Sequence, residues 1–93
     1  MEKWKIKAHR DVMKKDIPLL KQHNLKNDFD EIVKILKDNP YSHVRNFEKL
    51  EPRKRKICSM RINNQHRVVY TVDKKDHQVI IWSAWSHYER KRI

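Results

Sequence analysis

A carboxylate, two guanidiniums, an imidazole and a phenol fall between Glu51 and Tyr88 of this 93-residue chain. Arg61 lies in a run whose neighbours Met60 and Ile62 point to the other face of a strand, so Arg61 leaves the sheet on its own side. Arg67 opens the next run, and His87-Tyr88 follow the last one. Glu51 sits in Lys49-Leu50-Glu51-Pro52-Arg53-Lys54-Arg55-Lys56, where surrounding cations favour its carboxylate form. Metal-free RNA cleavage needs a base to take the 2′-hydroxyl proton, cations to bear the charge on the pentavalent phosphate, and an acid to protonate the departing 5′-oxygen. Glutamate, arginine and histidine can fill these three roles, and a 2′-hydroxyl nucleophile selects RNA over DNA.

The elements that must position these groups are legible in the hydrophobic pattern. Trp4, Ile6 and Ala8 alternate with lysines, a period of two that predicts a short strand. Val12, Met13, Ile17 and Leu20 follow at helical spacing, and Pro18 predicts a kink or restart near Asp16, which would cap the second piece. Asp28 and Glu31 have the spacing of a capping box ahead of an apolar stripe of Phe29, Ile32, Val33 and Leu36, a helix ended by Asp38-Asn39-Pro40. Residues 41–56 read as a polar loop. The runs Ile57–Ile62, Arg67–Val72 and Val79–Trp85 then predict three antiparallel strands, the first two joined by a short turn at Asn63-Asn64. The expected fold is α+β: one domain over 1–93, a small twisted, antiparallel-dominated sheet with two N-terminal helices on one face. Trp82 and Trp85 occupy opposite strand faces, so at least one belongs to the core. Cys58 reads as a small buried hydrophobe.

Composition removes several classes of function. Glycine is absent, which excludes glycine-rich phosphate loops. No apolar run approaches the ~18 residues of a membrane span, and no apolar core of a signal peptide follows the N-terminus. A single cysteine forms no intrachain disulfide and fits a reducing cytoplasm. The histidines other than His87, namely His9, His23, His43, His66 and His77, lie at no spacing typical of metal ligands, so neither metal nor cofactor is expected. Lysine and arginine number 23 against 12 aspartates and glutamates, a net charge of +11. The larger excess lies C-terminal, so the expected partner is a polyanion, with nucleic acid ahead of a membrane. The run Arg53, Lys54, Arg55 and Lys56 is a candidate RNA or ribosome track.

Four stretches together are similar to one known family: Lys49-Leu50-Glu51-Pro52, Ser59-Met60-Arg61-Ile62, Gln65-His66-Arg67-Val68-Val69-Tyr70 and Trp85-Ser86-His87-Tyr88-Glu89. They resemble the YoeB/Txe toxins of bacterial toxin–antitoxin systems, within the RelE/ParE superfamily. The resemblance is specific over residues 59–89, whereas over residues 1–48 only the plan of strand and helices matches. It implies a ribosome-dependent messenger-RNA endoribonuclease, acting in the ribosomal A site and inhibiting translation. Carried over residue by residue, it makes Glu51 the general base, Arg61 and Arg67 the phosphate-charge stabilisers, His87 the general acid and Tyr88 a substrate-positioning group. It also implies a cognate YefM/Phd-like antitoxin, a homodimer when free, and operator DNA bound through the antitoxin complex.

Three departures from the family pattern stand out. Met60-Arg61 occupies the place of two adjacent arginines, Pro52 to Lys56 replaces a glycine-containing turn, and a basic tail over 89–93 extends past the tyrosine. The tail either adds phosphate contacts or is disordered. Two alternatives stay open on sequence alone: a toxin of the same superfold that blocks DNA gyrase by binding, and an RNA-binding module without turnover.

Overall fold

A computed structural model describes residues 3–50 and 56–85. Strand β1 (Lys5–Ala8) leads through a π-helical turn (Val12–Asp16) into helix α1 (Ile17–Gln22) and helix α2 (Lys26–Asp38). Strands β2 (Glu48–Lys49), β3 (Ile57–Arg61), β4 (Arg67–Asp73) and β5 (Gln78–Ser83) follow, in the sheet order β1-β5-β4-β3-β2. The contacts of β2 with β3, β3 with β4 and β4 with β5 are antiparallel, while β1 pairs parallel with β5 at the opposite edge. Among the described residues, no helix is long and apolar enough to cross a membrane.

Alternation along the strands divides the sheet into two faces. Met60, Val68, Tyr70 and Ile81 point to one face, where they form the core with Val12, Leu20, Phe29, Ile32 and Leu36 of the helical layer. Complete burial of Leu20, Ile32 and Leu36 contributes roughly 1.5–3 kcal/mol each. The Tyr70 hydroxyl donates to the Pro40 carbonyl at 2.6 Å, tying the exit of α2 to the central strand, and burial raises its pKa far above the ordinary phenol value. Trp85 packs on this core, whereas the Trp82 indole N–H donates to Thr71 Oγ1 at 2.9 Å. Cys58 is buried, and burial pushes its thiol pKa up.

Four local expectations are corrected. The break near Asp16 exists, and Pro18 sits in the first turn of α1, where its missing N–H costs nothing. Asp16, however, makes no capping bond: it is fully buried and accepts from the Ala84 N–H at 2.9 Å. Asp28 and Glu31 form no capping box either, because α2 begins at Lys26 and both carboxylates accept from Arg45 Nη2, at 3.0 and 2.9 Å. The stretch 41–56 holds a strand, β2. The β3–β4 connection spans residues 62–66 rather than two, with Asn63 Oδ1 accepting from the Gln65 and His66 N–H groups.

The lack of glycine leaves a mark on the backbone. Left-handed conformations fall on Asn24, Arg45, Asn46, Lys56 and His77. Asparagine tolerates this region, but Arg45 and Lys56 carry a steric cost of roughly 1–2 kcal/mol each. Arg45 is held there by its partners. Its guanidinium Nη1 donates to the Arg61 and Ile62 carbonyls, at 3.0 and 3.3 Å, and its own carbonyl accepts the Arg61 N–H at 2.7 Å.

Candidate active site

The face of the sheet turned away from the helices carries the cations. Arg61 and Arg67 are direct cross-strand partners at the end of the β3–β4 pair. Both backbone groups of Arg61 bond to Arg45, so the Arg61–Arg67 position makes no ladder bonds and is of the type that brings side chains closest. Like charges placed directly opposite each other destabilise a sheet by roughly 0.2–1 kcal/mol. A fold that keeps two guanidiniums there offers a site for an anion between them. Arg61→Thr is therefore expected to leave thermal stability unchanged or to raise it by roughly 0.2–1 kcal/mol. A thermal melt of the variant beside the wild type checks this.

Strand β2 adds a carboxylate. Glu48 stands opposite Ser59, two residues before Arg61, and its Oε2 lies 3.5 Å from Arg67 Nη1. Arg67 and Glu48 are 42% and 54% exposed, so this ion pair contributes little to stability. Its consequence is chemical, since it places a carboxylate beside the cations that would hold a phosphate. Glu48 was missed in the sequence because Glu51, three residues on, stands among more cations. The β2–β3 register is what brings Glu48 to Arg67.

Of the residues expected from sequence, Arg61 and Arg67 are brought together, and Lys56 is exposed just before β3. Lys56 lines a cleft of about 580 Å³ with Tyr41, Lys49 and Lys74. Glu51, Arg53, Lys54, Arg55, His87 and Tyr88 lie outside the described residues.

Strand β5, which leads on to His87, makes its last ladder pair with Val69, two residues after Arg67. Val69 of β4 pairs with Ser83, and Tyr70 pairs with Ile81, so Trp82 is an extra residue forming a β-bulge. Beyond it the His66 and Trp85 rings stack, with centroids 3.8 Å apart and an interplanar angle of 18°. The His23 ring also lies against Trp85, with centroids 5.2 Å apart and the planes tilted by 49°. His66 is buried, and its Nδ1 has no hydrogen-bond partner among the described residues. Burial, aided by the nearby His23, lowers its pKa below the ordinary 6.5. Folding thus favours the neutral imidazole. Between pH 6.5 and the lower folded-state pKa the unfolded chain binds the proton first, so stability present above pH 6.5 is lost on acidification. Melting temperatures from pH 7.5 down to 5 should fall less in His66→Phe than in the wild type.

The chain is similar to the YoeB–YefM complex from Staphylococcus aureus, with 30% identity over 91% of this chain and 98% of that one, at a TM-score of 0.74. It is similar to the YoeB dimer from the same organism, with 28% identity over 92% and 99% of the two chains and a TM-score of 0.76. The YoeB/ParE toxin from Agrobacterium tumefaciens shares the fold at 19% identity, covering 90% of this chain and 99% of that one, with a TM-score of 0.78. No family model matches the sequence, and none of the curated proteins does.

Proposed function

The chain belongs to the YoeB family of toxins of toxin–antitoxin systems, and from that premise we propose that it is a metal-independent messenger-RNA endoribonuclease acting on the ribosome. The observation that carries this reading is the convergence of Glu48, Arg61 and Arg67 on one solvent-facing side of the sheet. A carboxylate beside two cations can serve in-line attack by a 2′-hydroxyl, the carboxylate as proton acceptor and the cations as charge stabilisers.

In this reading Glu48, rather than Glu51, takes the proton from the 2′-hydroxyl. Arg61 and Arg67 hold the non-bridging oxygens as charge builds on the pentavalent phosphate. His87 protonates the 5′-oxygen as its bond to phosphorus breaks, and Tyr88 positions the substrate. The pair of guanidiniums on adjacent strands supports turnover over simple binding, since two cations on one phosphate would bear the charge that builds in the transition state. Arg53, Lys54, Arg55 and Lys56 extend the phosphate contacts along the RNA or ribosome.

A cognate antitoxin with an acidic segment would neutralise this basic face. The matched Staphylococcus aureus structures are a heterotetrameric toxin–antitoxin complex and a toxin dimer, which supports an antitoxin partner and a free homodimer here as well. The complex would also carry the chain to operator DNA, in the cytoplasm.

The chemistry of the cut ends tests the mechanism. Cleavage by 2′-hydroxyl attack leaves a 2′,3′-cyclic phosphate, or the 3′-phosphate from its hydrolysis, and a 5′-hydroxyl. New ends bearing a 3′-hydroxyl and a 5′-phosphate would contradict it.

A further inference from the structure

Among the described residues four polar side chains are buried: Asp16, Ser59, His66 and Ser83. Three of them act on the two residues that follow β5. The Asp16 carboxylate accepts the Ala84 N–H at 2.9 Å, across 68 positions of sequence. The Ser83 hydroxyl donates to the Trp85 carbonyl at 3.1 Å. His66 stacks face to face on the Trp85 indole.

Burying a carboxylate or an imidazole costs free energy that an apolar side chain of similar size would not. Core packing alone does not call for such groups at the end of one strand. Ladder pairing between β4 and β5 stops at Ser83, so Ala84 and Trp85 have no partner strand to hold them. The bulge at Trp82 lies just before them, and bulges re-aim the strand that follows. His87 comes two residues after Trp85.

We propose that Asp16 and His66 are positioning residues for cleavage: they fix Ala84 and Trp85 at the carboxyl end of β5, from which the sequence runs on to His87 and Tyr88. This rests on the proposed nuclease reading, but its structural half can be measured without activity. Asp16 holds the main chain at Ala84, and His66 holds the ring of Trp85, two residues before His87. The π-helical turn and the β3–β4 connection, far apart in sequence, thus grip the same two residues from the helical layer and from the sheet.

The test uses the full chain and four variants. His66→Phe keeps an aromatic face for Trp85 and His66→Ala removes it, while Asp16→Asn keeps an acceptor for the Ala84 N–H and Asp16→Leu removes it. Single-turnover cleavage on programmed ribosomes and amide hydrogen exchange are recorded for each. His66→Ala and Asp16→Leu are expected to lower the rate constant on the order of 10- to 100-fold, with KM within about twofold of wild type. In both, the Ala84 and Trp85 amides should exchange faster while those of Val68 and Tyr70 stay protected. His66→Phe and Asp16→Asn should stay near wild type in both readouts.

A folded His66→Ala with the wild-type rate constant overturns the proposal. So does a slowed variant whose exchange at Ala84 and Trp85 is unchanged. If Asp16→Leu does not fold, the two His66 variants decide. If the wild type cuts no message, the nuclease reading fails by itself, and unchanged exchange in His66→Ala would then refute the anchoring as well.

Discussion

Arg67→Ala is expected to slow messenger-RNA cleavage by roughly 10²–10³-fold, the usual cost of removing one preorganised donor to a developing oxyanion. The fold should not suffer. Arg67 is 42% exposed and its ion pair with Glu48 is solvated, so the side chain contributes little to stability. It also faces Arg61 across the strand pair, and removing one of two opposed cations relieves repulsion. Arg67→Lys should recover part of the loss, because the charge returns without the planar fork that can hold two phosphate oxygens. Single-turnover rates on programmed ribosomes, beside thermal melts, check this. An Arg67→Ala protein that melts like the wild type and cuts at its rate would remove Arg67 from the site.

The second large effect separates two carboxylates three residues apart. Glu48→Gln should lower cleavage by roughly 10²–10⁴-fold, the range for loss of a general base. Glu51→Gln should cost far less. Glu48 is set 3.5 Å from Arg67 by the pairing of β2 with β3, and glutamine keeps its size while removing the proton acceptor. The measurement is again a single-turnover rate, taken for both variants in parallel. The reverse order, with Glu51→Gln inactive and Glu48→Gln active, would return the base to Glu51.

The pattern of strands and helices was legible because burial on one face imposes a period. Met60, Val68 and Tyr70 alternate into the core, and Phe29, Ile32 and Leu36 repeat at helical spacing. Arg61 and Arg67 were legible as candidates for the same reason: each is a cation at a strand end with apolar neighbours on the other face. What escaped depends on partners distant in sequence. The spacing of Asp28 and Glu31 suggests a cap, but Arg45 claims both carboxylates from another segment. Asp16 suits a helix start equally well as a local residue, yet its acceptor serves Ala84. The approach of Glu48 to Arg67 follows from strand register, which a charged segment without alternation does not encode. His66 reads as one histidine among six until β5 brings Trp85 over its ring. The left-handed turns at Arg45 and Lys56 carry none of the glycine that normally marks them.

The most direct test of the central claim is primer extension on a translated message, with and without ribosomes, using the wild-type protein and His87→Gln. New 5′ ends are expected only when ribosomes are present, and they should be lost in His87→Gln although that protein still folds. Cleavage by neither protein, or equal cleavage by both, would contradict the central claim, the first by removing the nuclease and the second by removing its acid.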